Sequence, residues 1–229
     1  MPRTDHIAAA RAAFPCGLAQ PAGYRFTQDS LLLAAFPAPG KARRVLDLGA
    51  GCGVVGFAFL LAHPDCAASL TALDISPAMV AASLENSQRL GLADRFSAIP
   101  ADAANLPDLS GLEPGSFDLC LLNPPYRVPG ACRPSPLPAR AAARQETTAT
   151  LADFLAAASR LLKPRGRLAL CLPPARLPEL LATLSAHGLG PKLLLHDHPT
   201  LDAPCRLCLV EAAKGGKSGL AVEAVRIDG

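Results

Sequence analysis

The chain reads RVLDLGAGCG at residues 44–53, where a short apolar run passes directly into a glycine-rich turn. A mainly apolar stretch, residues 54–61, follows the last glycine. We interpret this order as a buried strand, a glycine loop and a helix, which together form a nucleotide-binding unit of an α/β protein. Glycine lets the backbone approach a ligand closely, and the unpaired N–H groups of the helix N-terminus attract a carboxylate or a phosphate.

The glycine loop leaves two cofactors open. Gly51, Gly53 and Gly56 have the G-x-G-x-x-G spacing of dinucleotide-binding proteins, and Asp74 follows at about the distance of an acid that binds ribose. Asp47 precedes the first glycine of the loop, where its charge would repel a pyrophosphate and attract the ammonium of a methionine group. Asp47 therefore favours S-adenosylmethionine, and a nicotinamide dinucleotide remains the alternative.

A second motif, NPPY at residues 123–126, directly follows the apolar run FDLCLL. The lone pair of an exocyclic adenine amine, or of a glutamine amide, is delocalised and becomes nucleophilic only when acceptors hold its hydrogens. Asn123 Oδ1 and the Pro124 carbonyl can supply two acceptors, and the prolines restrict the backbone that carries them. The Tyr126 ring can stack on a planar substrate. The motif predicts methylation of a planar nitrogen, which also favours S-adenosylmethionine; a proline-rich turn is the alternative.

Strand-like and helix-like segments alternate along the chain, which predicts one α/β domain over residues 1–229, with residues 1–40 as a helical lead-in. The predicted strands lie near 43–48, 69–74, 94–99, 117–122, 165–172, 191–197 and 205–212. The predicted helices lie near 54–63, 77–91, 150–162 and 175–187. Because strands and helices alternate, the first five strands should be parallel, and the last two should form an antiparallel hairpin.

The order of these motifs resembles the class I amino-methyltransferases that end their fourth strand in NPPY. The resemblance implies a Rossmann-like class I methyltransferase fold, with a mostly parallel seven-stranded sheet and a C-terminal antiparallel hairpin, and S-adenosylmethionine as cofactor. It implies that Asp47 and the glycine loop hold the methionine end, that Asp74 binds the ribose hydroxyls, and that Asp102 and Ala103 flank the adenine. From the residues alone, Asp74 could instead cap the helix that begins after Ser76, and Asp102 could be a turn residue.

Segments at both ends of the chain resemble one family more closely. Residues 24–36, YRFTQDSLLLAAF, and residues 204–217, PCRLCLVEAAKGGK, are similar to the bacterial tRNA(Val) adenine-N6 methyltransferases. These enzymes modify the adenine next to the anticodon, so the resemblance implies tRNA as partner and substrate. The family carries an Ala-Arg-His-Glu-like segment after NPPY, whereas Arg144, Gln145 and Glu146 lack the histidine, which leaves the nucleobase-side role of this segment open.

The segment after NPPY, residues 127–146, is rich in proline and alanine and carries four arginines, with no acid before residue 146. We predict a flexible substrate-binding loop whose arginines contact RNA phosphates; an ordinary solvated loop is the alternative. The main enzymatic rival is a protein-glutamine N-methyltransferase, but only about forty residues precede the first strand, too few for its helical substrate domain. Another RNA or a small molecule remains possible as substrate. A non-enzymatic RNA-binding module is disfavoured because both motifs are intact.

The candidate residues fall into three groups. The expected catalytic residues are Asn123, Pro124 and Tyr126. The residues expected to contact the cofactor are Gln28, Asp47, Gly49, Gly51, Gly53, Asp74, Ile75, Asp102, Ala103 and Asn123. The residues expected to contact the substrate are Arg127, Arg133, Arg140 and Arg144.

Composition sets further bounds. The formal net charge is only +3, so the chain is not a general polyanion binder. No signal-like pattern or apolar span of about 20 residues is visible, and we expect a cytoplasmic protein. The 8 cysteines are scattered and should be reduced thiols. His196, His198, Cys205 and Cys208 suggest zinc, but we predict no metal, because Cys205 and Cys208 would point to opposite faces of one strand.

Overall fold

The computed structural model describes residues 17–22, 25–105, 112–125, 149–198, 202–217 and 219–226. Within these ranges the α-helices are α1 (Gln28–Ala35), α2 (Val54–Ala62), α3 (Pro77–Arg89), α4 (Leu151–Leu161) and α5 (Leu177–Ala186). The strands are β1 (Arg44–Leu48), β2 (Ser69–Asp74), β3 (Phe96–Pro100), β4 (Phe117–Leu122), β5 (Leu162–Leu172), β6 (Leu189–His198), β7 (Leu207–Lys214) and β8 (Ala221–Arg226).

The strands form one sheet in the order β3-β2-β1-β4-β5-β7-β6-β8. Strands β1 to β5 run parallel to one another, and β7 lies antiparallel between β5 and β6. The mostly parallel sheet and the C-terminal antiparallel hairpin are therefore confirmed. The described chain adds an eighth strand that the sequence prediction lacked, because β8 pairs in parallel with β6 through Leu193↔Ala221 and the pairs that follow.

Helices cover both faces of the sheet, and β4 shows how its sequence divides between them. Leu119 and Leu121 belong to the core under α1 and α2, whereas Cys120 and Leu122 belong to the core under α4 and α5. Successive side chains of a strand point to opposite faces, so a strand that is covered on both faces must be apolar at nearly every position. This requirement explains the unbroken apolar run before NPPY.

The cysteines in the described ranges are free thiols, at positions 52, 66, 120, 171, 205 and 208. Burial raises the pKa of Cys52 and of Cys208 to about 12, so both are neutral at physiological pH and pack as small apolar groups. No helix among the described residues combines the length and the apolar character that a membrane crossing needs.

The reasoning about Cys205 and Cys208 was wrong. Their sulfur atoms lie 3.9 Å apart, because β7 begins at Leu207 and Cys205 stands in the preceding loop, where strand alternation does not apply. Still, the described ranges contain no group of three or more metal-ligating side chains that could hold an ion. The absence of a metal from the whole chain stays a prediction.

Candidate active site

The site lies at the carboxyl edge of the sheet, where β1 has β2 on one side and β4 on the other. In open parallel sheets a ligand binds at the point where the strand order reverses, because loops from adjacent strands diverge there. Gly49, Ile75 and Asn123 follow β1, β2 and β4 directly, so the sheet brings them together. A cavity of about 560 Å³ opens between them.

Most of the described site candidates line this cavity. The candidates that do so are Gly49, Gly51, Asp74, Ile75, Asp102, Ala103, Asn123 and Pro124. Gln28, Asp47 and Gly53 are not among its lining residues. Tyr126, Arg127, Arg133, Arg140 and Arg144 lie outside the described residues.

The glycine loop is held by backbone and carboxylate contacts from β2. Gly51 has φ 54°, a left-handed conformation that favours glycine, and its N–H donates to Asp74 Oδ2 at 2.7 Å. The same carboxylate accepts a hydrogen bond from Ser76 N through Oδ1 at 3.0 Å. Asp74 therefore supports the glycine loop and the start of α3 while it lines the cavity. Asp74 can thus stabilise the start of α3 and face a ligand in the cavity at the same time.

Asp47 lies behind the loop. Its side chain is 1% exposed, and its Oδ2 accepts a hydrogen bond from Gly56 N at 2.8 Å. Gly56 is required for this approach, because a Cβ there would stand 3.1 Å from that oxygen and 2.6 Å from a Leu70 methyl. Burial raises the pKa of Asp47 from its usual 3.8 to about 7; the charge of Asp74 acts in the same direction, and the hydrogen bond from Gly56 in the opposite one.

The turn after β3 forms another wall of the cavity. Asp102 Oδ1 accepts a hydrogen bond from Ala104 N at 2.9 Å, which is the local turn contact that its sequence position allowed. Asp102 is nevertheless half-buried and lines the cavity, beside the buried Ala103. Its role toward a cofactor stays a prediction.

The Asn123 amide is held at both ends. Its Nδ2 donates to Ser30 Oγ at 3.2 Å, and its Oδ1 accepts a hydrogen bond from the Cys171 thiol at 3.3 Å. Ser30 belongs to α1 and Cys171 to β5, so two elements distant in sequence meet at this amide. The buried Pro124 lines the cavity next to it.

The segment before β1 contributes more to the cavity than the sequence indicated. Its lining residues are Pro21, Ala22, Arg25, Phe26, Thr27 and Ser30. The buried amide of Asn86 clamps this segment, because Oδ1 accepts a hydrogen bond from Ala19 N at 2.7 Å while Nδ2 donates to the carbonyls of Ala19 and Cys52, each at 3.0 Å. The Cys52 contact ties the segment to the glycine loop.

Other basic residues lie away from the cavity. Arg44 begins β1 and Lys214 ends the antiparallel β7, which places both at the amino edge of the sheet, opposite the site. Lys41 and Arg43 precede β1 at the same edge. These cations are therefore not neighbours of the proposed methyl-transfer site.

The sheet order, the glycine loop at the carboxyl end of β1 and the amide after β4 define an α/β methyltransferase that uses S-adenosylmethionine. The chain matches the methyltransferase small domain over residues 27–174 and belongs to that family.

The named relatives agree with this assignment, and a solved structure shares the fold. The chain is 31% identical over 204 residues to the tRNA1(Val) (adenine(37)-N6)-methyltransferase of Parabacteroides distasonis, covering 86% of this chain and 82% of the relative. It is 31% identical over 207 residues to the protein of the same name from Shewanella loihica, covering 88% and 83%. A predicted O-methyltransferase from Agrobacterium tumefaciens, 24% identical, shares the fold with a TM-score of 0.68 over 87% of this chain and 86% of that one.

Proposed function

We propose that this protein transfers a methyl group from S-adenosylmethionine to the exocyclic N6 amine of an adenine in tRNA, namely tRNA(Val) next to the anticodon. One observation carries the proposal: the Asn123 amide and Pro124 line the same cavity as the glycine loop, Asp74 and Asp102. A methyl donor and a planar amine can therefore meet in one cavity. The names of the relatives supply the substrate class.

The cavity suits the proposed cofactor. Its volume of about 560 Å³ lies within the roughly 300–1,000 Å³ of small-molecule sites. The Asp74 carboxylate can accept hydrogen bonds from ribose hydroxyls, and Leu73, Ile75 and Ala103 offer apolar surface to a purine. The carboxylates of Asp74 and Asp102, which line the cavity, provide negative charge near a cationic donor.

The cofactor supplies a methyl group on positively charged sulfur, so the reaction needs no strong base. The chain has to orient the amine, whose lone pair attacks that carbon while the bond to sulfur breaks. Asn123 Oδ1 and the Pro124 carbonyl would accept hydrogen bonds from the amine, localising its lone pair and stabilising the positive charge that develops on nitrogen. The methylated nitrogen then releases one proton to water, which leaves the neutral methylated base.

The substrate would enter as a single strand, because an adenine inside a duplex cannot enter the cavity without unstacking. We propose that Tyr126 stacks on the adenine and that the segment 127–146, with its arginines, contacts the neighbouring phosphates. We further propose that residues 1–229 act as a single domain in the cytoplasm, where tRNA is modified.

Nucleoside mass spectrometry of tRNA from a strain that lacks the protein tests the proposal. We expect N6-methyladenosine to disappear from tRNA(Val) and to return when the wild-type gene, but not the Asn123→Ala variant, is restored. An unchanged N6-methyladenosine content would contradict the RNA assignment. Transfer of a tritiated methyl group to glutamine in a protein would support the protein-glutamine alternative instead.

A further inference from the structure

The Asn123 amide has two chemically opposite ends, because its oxygen accepts hydrogen bonds and its nitrogen donates them. Only the oxygen can help an amine to attack a methyl group, since an NH₂ group facing the amine would place donor against donor. The terminal torsion of asparagine is broad and roughly two-fold, so the side chain alone does not select one orientation. Neighbouring groups must hold the amide.

Two buried side chains hold it in the structure. Ser30 is 3% exposed, and its hydroxyl oxygen accepts the hydrogen bond from Asn123 Nδ2. Cys171 is 0% exposed, and its thiol donates to Asn123 Oδ1. A hydroxyl is a better acceptor for the amide NH₂ than a thiol is, so this arrangement gives the NH₂ group the stronger of the two acceptors.

Ser30 itself is firmly placed. Its neighbour Asp29 forms an ion pair with Arg206 at 3.1 Å, and Arg206 also binds the buried Asp197 at 2.5 Å. These ion pairs connect the first turn of α1 to the end of β6 and the start of β7. Leu32 and Leu33, farther along α1, are buried in the core.

We propose that Ser30 and Cys171 are positioning residues, which hold the Asn123 amide with its oxygen directed to accept a hydrogen bond from the substrate amine. A carbonyl oxygen can accept two hydrogen bonds, so the bond from Cys171 permits one from the amine. This inference rests on the proposed function, since it requires Asn123 to act on an amine.

The test compares Ser30→Ala and Cys171→Ala with the wild type in single-turnover methylation of an unmodified tRNA(Val) transcript. Each variant loses one neutral hydrogen bond to the amide, and we expect the rate of methyl transfer to fall by about three- to tenfold. The affinity for S-adenosylmethionine, measured by calorimetry, should stay within about twofold. Cys171→Ser keeps a donor and should restore most of the rate.

The chain offers matched controls. Ser83 is a buried serine of α3 whose hydroxyl donates to Val80 O, and Cys120 is a buried thiol of β4, the strand that leads into Asn123. Ser83→Ala and Cys120→Ala remove the same groups from the core without touching the amide. Both should methylate tRNA at the wild-type rate.

A double-mutant cycle separates positioning from a general effect on structure. In the Asn123→Ala background there is no amide to position, so Ser30→Ala and Cys171→Ala should cause no further loss of the residual rate. Additive losses in that background would overturn the proposal. If an alanine variant does not fold, Ser30→Cys replaces the hydroxyl by a weak acceptor and should slow the reaction, while Cys171→Ser should not.

The outcomes also separate this inference from the proposed function. Wild-type rates in Ser30→Ala and Cys171→Ala, together with a slow Asn123→Ala variant, would overturn the positioning role and leave the methyl-transfer assignment intact. A wild-type rate in Asn123→Ala would overturn the assignment itself.

Discussion

Replacing Asp47 with asparagine should change how the stability of the cofactor-free protein depends on pH. The carboxyl is buried behind the glycine loop, and burial raises its pKa from 3.8 to about 7. Between these two values the folded protein binds more protons at this group than the unfolded chain does. Stability contributed by the group is therefore complete below about pH 4 and is lost as the pH rises to about 7.

The magnitude follows from the two pKa values. A rise from 3.8 to about 7, at about 1.4 kcal/mol for each pH unit, corresponds to a loss of about 4 kcal/mol across that window. Asp47→Asn cannot ionise, so its stability should lack this decline. The amide that replaces the carboxyl changes the free energy of unfolding by the same amount at every pH. The informative quantity is thus the change with pH in the free-energy difference between variant and wild type.

Urea unfolding at pH 5, 6, 7 and 8, without cofactor, measures that difference. Between pH 5 and pH 8 we expect the free energy of unfolding of the variant to rise relative to the wild type by about 2.5 kcal/mol, with most of this change below pH 7. Asp65→Asn, which removes an exposed carboxylate, serves as the control and should run parallel to the wild type. A difference that is constant over the pH range would refute the reasoning, because Asp47 would then be charged throughout.

Three further predictions concern the ligands. Asp74→Ala should weaken S-adenosylmethionine binding at least about tenfold in calorimetry, because charge-assisted hydrogen bonds contribute roughly 1.5–3 kcal/mol each; unchanged affinity in a folded variant would remove Asp74 from the cofactor site. Asn123→Ala should slow methyl transfer about a hundredfold to a thousandfold in a tritium assay while the cofactor affinity is kept. Alanine at four positions should lower the slope of log affinity against log salt by about 0.7 to 0.9 per lost phosphate contact, whereas the same change at Lys41, Arg43 and Lys214 should not; the four positions are Arg127, Arg133, Arg140 and Arg144. An unchanged slope in the fourfold variant would assign the RNA contacts to another surface.

The parts of the site that are contiguous in sequence could be predicted. The glycine loop and the NPPY turn each combine a strand, a turn and a ligand-facing group within about ten residues, so local pattern is enough to identify them. The parallel sheet then brings the two motifs to one edge, since both follow strands that run in the same direction. Gly49, Gly51, Asn123 and Pro124 line the cavity for this reason.

The contribution of α1 could not be predicted in the same way. Gln28 was expected to contact the cofactor, yet it is exposed and does not line the cavity, whereas Ser30 is buried and does. At 3.6 residues per turn, residues two positions apart differ by about 200° around the helix, and the mainly apolar sequence of the short α1 does not indicate which face meets the sheet. Asn86 was missed because its clamp joins segments 67 residues apart.

In the C-terminal strands the prediction failed at a strand boundary and at the sheet edge. Strand alternation placed Cys205 and Cys208 on opposite faces only because Cys205 was assumed to lie within the strand. The described structure starts β7 at Leu207, and the two sulfur atoms meet. The strand β8 is short and lies at the sheet edge, where burial imposes little apolar pattern on its sequence.

The charges around the cavity affect the cofactor and the RNA differently. Asp74 and Asp102 line it, so the described wall offers negative charge suited to a cationic methyl donor. The same charge repels RNA phosphates, and Arg25 is the cation that the described lining provides. The cations of the amino edge are on the far side of the sheet. We therefore propose that the attraction of a polyanionic substrate comes from the arginines that follow Asn123-Pro124-Pro125 in sequence. The salt dependence of RNA binding reports the number of phosphate contacts, so it tests the proposed role of the segment 127–146 more directly than the affinity does.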